Sequence, residues 1–125
     1  MARTAVAYSN FVPNGSVADG SLTAVTLNPG TNNGHTIAKA VPELTVLRVA
    51  VGATGGNVTV KAGTYPPALA AGQGDLVVAC TANTISWIGP LESGRFLQSD
   101  GSLLVDVAAA VVPGTITALR VPRNT

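Results

Sequence analysis

Residues 87–106, WIGPLESGRFLQSDGSLLVD, hold the chain's single Trp, a Gly-Pro corner, the opposed charges Glu92 and Arg95, one of two Phe residues and an Asp-Gly turn. Its second half alternates. Leu103, Val105 and Val107 fall on one side and Asp106 on the other, with Leu104 the apolar exception on the polar side. Period-two alternation beside a turn pair that tolerates positive φ describes a half-buried strand leaving a tight turn. The stretch reads as a shaped, partly charged corner between β-strands, and none of its groups is placed for catalysis.

The same grammar extends in both directions. Val58 and Val60 oppose Asn57, Thr59 and Lys61 in a second clean alternation. Candidate strands run over about 3–9, 20–27, 34–40, 43–51, 57–62, 75–81, 84–88, 95–98, 102–107 and 114–121. Asn14-Gly15, Asp19-Gly20, Asn33-Gly34 and Asp100-Gly101 supply turn chemistry between them. Gly55-Gly56 predicts a hairpin joining strands 43–51 and 57–62. Two prolines exclude a regular strand at Tyr65-Pro66-Pro67, because proline removes ladder donors; one helical turn fits between Pro67 and Gly72.

Short strands with turns every 8–12 residues predict an all-β fold: one compact antiparallel β-sandwich or β-barrel, jelly-roll-like, with about ten strands and almost no helix. Residues 1–125 form one domain. Weak patterning from Ser9 to Ser16 predicts an extended N-terminal arm over about 1–16, and Pro122 marks 120–125 as a C-terminal arm.

Composition bounds the partners. Charged residues make up 10%, far below the usual quarter, so the surface must be built largely of Thr, Ser, Asn and Gly. Little charge repulsion then opposes self-association. A net charge of +1 gives no basis for nucleic-acid or anionic-membrane binding. No signal peptide is expected at Met1-Ala2-Arg3 and no run of 18 apolar residues occurs, while the single Cys80 fits folding in a reducing cytoplasm.

Chemistry-bearing residues are sparse. One His and one Cys cannot make a zinc site, and no calcium loop or phosphate-binding glycine motif occurs, so no metal or cofactor is expected. His35, in Asn32-Asn33-Gly34-His35, reads as an exposed turn or hydrogen-bonding residue, and Cys80 as a buried thiol. Asp75, Asp100 and Asp106 read as turn formers or solvated side chains rather than paired catalytic carboxylates. No catalytic residue is assigned, and the chain is expected not to be an enzyme.

Interaction features remain. Glu92 and Arg95 read first as a local ion pair and second as contacts to a partner chain. Trp87 alternates with Ile85 and reads first as core, second as an interface anchor. The candidate interface set is Pro66, Pro67, Trp87, Pro90, Glu92, Arg95, Phe96, Arg120 and Arg123.

Tyr65-Pro66-Pro67-Ala68-Leu69, Gly74-Asp75-Leu76, Trp87 to Phe96, Gln98 to Leu103 and the closing Gly114 to Pro122 together resemble a set of small virion proteins of tailed bacteriophages of actinobacteria. The similarity spans roughly residues 20–123, and Gly-Pro-x-Glu-Ser-x-Arg-Phe is its most specific part. The resemblance implies a non-enzymatic head decoration (cement) protein on the capsid exterior, with the major capsid protein and copies of itself as partners, commonly as a trimer. It implies no catalytic residues. The alternative is a receptor- or carbohydrate-binding β module of a head fibre or tail, which requires an exposed aromatic or polar cleft.

Overall fold

A computed structural model describes residues 3–30, 33–64, 72–108, 111 and 113–122. Within them the chain forms ten strands: β1 (Thr4–Ala5), β2 (Tyr8–Asn10), β3 (Val25–Thr26), β4 (His35–Ile37), β5 (Thr45–Val51), β6 (Gly56–Val60), β7 (Leu76–Cys80), β8 (Ile85–Ile88), β9 (Leu103–Val107) and β10 (Gly114–Arg120). Two 3-10 turns, Asp19–Ser21 and Pro42–Leu44, and a helical turn, α1 (Ser93–Phe96), join them, and residues 72–73 are helical as well.

The strands make two five-stranded sheets. Sheet A runs β1-β4-β9-β6-β7; sheet B runs β2-β10-β5-β8, with β3 also on β10. The sheets do not close on each other, so the fold is an open sandwich rather than a barrel. Their inner faces interdigitate: Ile37, Val58, Val60, Leu103 and Val105 from sheet A meet Leu47, Val49, Ile116 and Ala118 from sheet B, all fully buried. Alternation explains this directly, since every second residue of a strand points into the gap. β5 follows the rule for seven residues, burying Thr45, Leu47, Val49 and Val51 between half-exposed neighbours.

Three expectations are corrected. The sheets are mixed, not purely antiparallel: β1 runs parallel to β4 and β2 parallel to β10. The N-terminus is extended as expected, but residues 3–10 are no free arm. β1 belongs to sheet A and β2 to sheet B, so the chain bridges the two layers and buries Val6 where it crosses. Nor do β5 and β6 form a hairpin: they lie in different sheets, and Gly55-Gly56 sits where the chain changes layer. A Cβ at Gly55 would strike the Cys80 carbonyl, and one at Gly56 the Val111 side chain, so close packing of backbone and side chain rather than turn geometry demands glycine there.

The expected strand at 95–98 is helical instead. Phe96 N donates to Glu92 O at 3.1 Å and Leu97 N to Ser93 O at 3.1 Å, closing one turn. Its start is capped by a residue distant in sequence. Glu43 Oε2 accepts from Ser93 N at 2.9 Å and from Ser93 Oγ at 2.6 Å, satisfying an amide that a helix start leaves open.

Candidate functional site

The two outer faces differ in kind. Sheet A carries an alternating chain of charges across its strands. Arg3 lies 2.6 Å from Asp106 Oδ1, an ion contact without a linear hydrogen bond, and Lys61 sits 4.0 Å from Asp106 Oδ2 and 3.0 Å from Asp75 Oδ2. The Ala62 amide, 2.6 Å from Asp75 Oδ1, together with Lys61 holds the Asp75 carboxyl below its ordinary range. These half-exposed groups keep that face wet.

The outer face of sheet B mixes apolar side chains with the Arg48–Asp19 pair. The segment from Phe11 to Leu22 lies along its outer surface, where the outward-facing Thr117 and Leu119 of β10 are fully buried. Phe11 N donates to Arg120 O at 2.9 Å, and Arg48 of β5 reaches Asp19 at 3.2 Å. A groove of about 370 Å³ remains, lined by Phe11, Val17, Leu22, Arg48, Trp87 and Leu119 among others. Phe11 and Val17 also line a second groove, of about 420 Å³, that continues to Val12, Val121 and Pro122.

Trp87 is therefore not a core residue. It is 60% exposed, and Ile85 on the same face is 49% exposed, because β8 turns Ser86 and Ile88 inward. The alternation was legible, but its direction was not. Arg48 stands opposite Trp87 in the β5–β8 ladder with its guanidinium carbon 5.7 Å from the ring centroid, a cation–π contact at a partly solvated site. Val12 and Val121 are exposed too, so among the described residues four of the five large exposed apolar side chains sit on the sheet B side; Val77 of β7 is the fifth.

At the Gly89–Arg95 corner the expected Glu92–Arg95 ion pair is not formed. Arg95 donates to Gly74 O at 3.1 Å and Asp75 O at 3.0 Å, tying α1 to the start of β7, and lies 4.8 Å from the Phe96 ring centroid. Phe96 itself is buried in the core, which removes it from the candidate interface. Gly89 has φ 125° and a Cβ there would strike the Thr45 carbonyl, so the corner needs glycine. Pro90, Glu92 and Arg120 are exposed. Pro66, Pro67 and Arg123, with the helical turn expected after Pro67, lie outside the described residues.

The residues that could carry chemistry are dispersed. His35 is fully buried, not an exposed turn residue. Its Nδ1–H donates to Thr4 O at 3.2 Å and its Nε2 accepts from Asn28 N at 3.1 Å, which fixes the neutral tautomer. Desolvation holds its pKa below the ordinary value, opposed by the Thr4 carbonyl and reinforced by Arg3. β9 and β6 separate β4 from β7, and the register sets His35 level with Leu76 rather than Cys80, so His35 and Cys80 lie farther apart than the three strand spacings, roughly 14 Å, between their strands. Asp100 bonds its neighbour Ser102, which lowers its pKa. Among the described residues no three His, Cys, Asp or Glu side chains are grouped to hold a metal ion, and no helix is long and apolar enough to cross a membrane.

Compared with known proteins, the chain matches no family model, no curated protein and no solved structure. The fold is an open β-sandwich with a chain of charges on one outer face and, on the other, exposed apolar side chains around the Arg48–Asp19 pair.

Proposed function

We propose that the protein is a non-enzymatic adhesive module, a head decoration protein that binds the outside of a bacteriophage capsid and stabilises contacts between capsomers. The observation that carries this reading is the asymmetry of the sandwich. One face is wetted by the Arg3–Asp106–Lys61–Asp75 chain, and the other exposes Val12, Val121, Ile85 and Trp87. Monomeric proteins rarely leave such a surface uncovered unless it binds something. A lattice repeats one weak contact many times, so modest apolar docking suffices. A contact of this kind is also insensitive to salt, unlike an ionic one. The sequence resemblance supplies the partner, the major capsid protein.

Co-sedimentation tests the reading. The purified protein is mixed with undecorated capsids, which are then pelleted. Saturable, stoichiometric retention that persists in high salt is expected; a supernatant holding all the protein would overturn it.

A second reading has one observation in its favour. The exposed Trp87 ring beside the Arg48–Asp19 pair supports it, since carbohydrate-binding modules stack sugars on exposed aromatics. Retention on host-envelope polysaccharide, abolished by Trp87→Ala, with no retention on capsids, would select it.

A further inference from the structure

β8 is an end strand of sheet B, and among the described residues no strand pairs with its open side. Val51 N donates to Thr84 O at 2.9 Å, so Thr84 faces β5. Antiparallel ladders alternate, which turns Ser86 and Ile88 the same way and leaves the N–H and C=O of Ile85 and Trp87 pointing out of the sheet. These two residues also carry the exposed side chains of the strand. No charged residue occurs from Cys80 to Leu91. Edge strands are ordinarily blunted by charge, bulge, proline, shortness or cover; β8 is short and is stopped by Gly89-Pro90, but its two open residues carry no charge and can template a short pairing. Another end strand, β7, is treated differently: the Arg95 guanidinium binds the carbonyls of Gly74 and Asp75 just before its start.

We propose that β8 pairs antiparallel with β8 of a second copy, about a two-fold axis through Ser86. Only this register uses both open residues. Ile85 of each copy then exchanges two backbone hydrogen bonds with Trp87 of the other. An axis through Ile85 would bring in Asn83, which has φ 60° and whose N–H is taken by Gly52 O at 2.7 Å. An axis through Trp87 would bring in Gly89, which has φ 125°. The Ser86 register also sets Ile85 against Trp87 twice on the outer face, an aromatic–β-branched pairing that is favourable across strands. A second copy is the occupant because the strand is self-complementary: uncharged, with its large and small apolar groups placed symmetrically about Ser86. The contact is isologous and closes as a dimer, whereas the trimer implied by resemblance needs a head-to-tail surface. The proposal stands on β8 alone, and capsids that take up monomers would overturn it while leaving the shell-binding reading intact.

Size-exclusion chromatography with light scattering reads the mass. The wild-type chain is expected at twice its 12.5 kDa as concentration rises. The double variant Ile85→Lys/Trp87→Lys puts like charges opposite each other and is expected to run as a monomer, whereas Ile85→Lys/Trp87→Glu puts opposite charges across both pairs and restores the dimer. Ser86 pairs with itself at a non-hydrogen-bonded position, where Cα atoms approach to about 4.5 Å, within disulfide range. Ser86→Cys is therefore expected to give a reducible dimer band under mild oxidation, a result that does not depend on how the lysine variant folds. A monomer at every concentration, a trimeric mass, or a dimer indifferent to the lysines with no Ser86→Cys cross-link would overturn the proposal.

Discussion

Arg48 and Trp87 face each other across the β5–β8 ladder, the guanidinium lying 5.7 Å from the indole centroid while Asp19 holds its other side at 3.2 Å. This arrangement keeps the chain's one indole standing in solvent on a sheet whose neighbouring β10 is covered. Leu119, on the same outer face, is 1% exposed. Trp87→Ala should therefore change the unfolding free energy of the monomer by less than about 1 kcal/mol, while Leu119→Ala should cost about 2–5 kcal/mol. Urea unfolding at a concentration low enough to keep the chain monomeric separates the two. Equal effects would mean that the Phe11–Leu22 segment does not cover β10.

His35, by its burial, makes the fold lose stability on the acid side of the ordinary imidazole pKa. Its folded-state pKa is depressed below 6.5, chiefly by burial, so the unfolded chain binds the proton more readily. Stability from this site is complete above about pH 6.5 and is lost as pH falls through the folded value. A protonated ring would also turn Nε2–H against the Asn28 amide, two donors face to face. Asp75 and Asp100 are depressed from 3.8, so their contribution is lost only below that value. Denaturant midpoints measured between pH 7.5 and 4.5 should fall towards acid, and His35→Gln should flatten that slope.

The cap on α1 comes from Glu43, not from Glu92. Glu43→Ala removes the acceptor for both Ser93 N and Ser93 Oγ and should cost about 1 kcal/mol. Glu92→Ala, at an exposed position without the expected ion pair to Arg95, should stay within about 0.5 kcal/mol. Thermal melts of the two variants decide the assignment.

Thr117 Oγ1 is buried without a hydrogen-bond partner under the N-terminal segment. Removing an unsatisfied hydroxyl while keeping the shape relieves a desolvation cost, so Thr117→Val should be neutral or stabilise by about 1 kcal/mol. A loss of stability in denaturant would show that the hydroxyl has a partner.

Gly89→Ala should destabilise by about 1–3 kcal/mol or more, since it combines a left-handed φ with a collision against the Thr45 carbonyl. Gly20→Ala, with open space around the added carbon, is the matched control and should be near neutral. Melting temperatures of the pair test whether the corner is fixed by backbone approach.

What was readable in the sequence follows from period two. Alternation at 57–61 and 103–107 located β6 and β9 and their buried sides, because each strand has one wet and one dry face. Alternation at Ile85 and Trp87 located β8 but gave the opposite face, since on an edge strand the bulkier pair lies outward and the pattern carries no sign. Strand pairing was invisible: nothing local in Thr4 or Tyr8 announces parallel partners at His35 and Ala118, about 30 and 110 residues away. The Gly89–Arg95 corner was recognised as shaped, yet its actual supports, Glu43 and the Gly74 carbonyl, are distant in sequence and close only after folding. The apolar surface was missed for the same reason. Val12 and Val121 are unremarkable singly, and the fold makes them neighbours.

Cryo-electron microscopy of undecorated capsids incubated with the protein tests the central claim most directly. The account predicts ordered density at repeating sites on the shell exterior, with the Val12–Val121 side of sheet B against the capsid and the Arg3–Asp106–Lys61–Asp75 face turned to solvent. Bare shells at saturating protein, or density with that charged face against the shell, would contradict it.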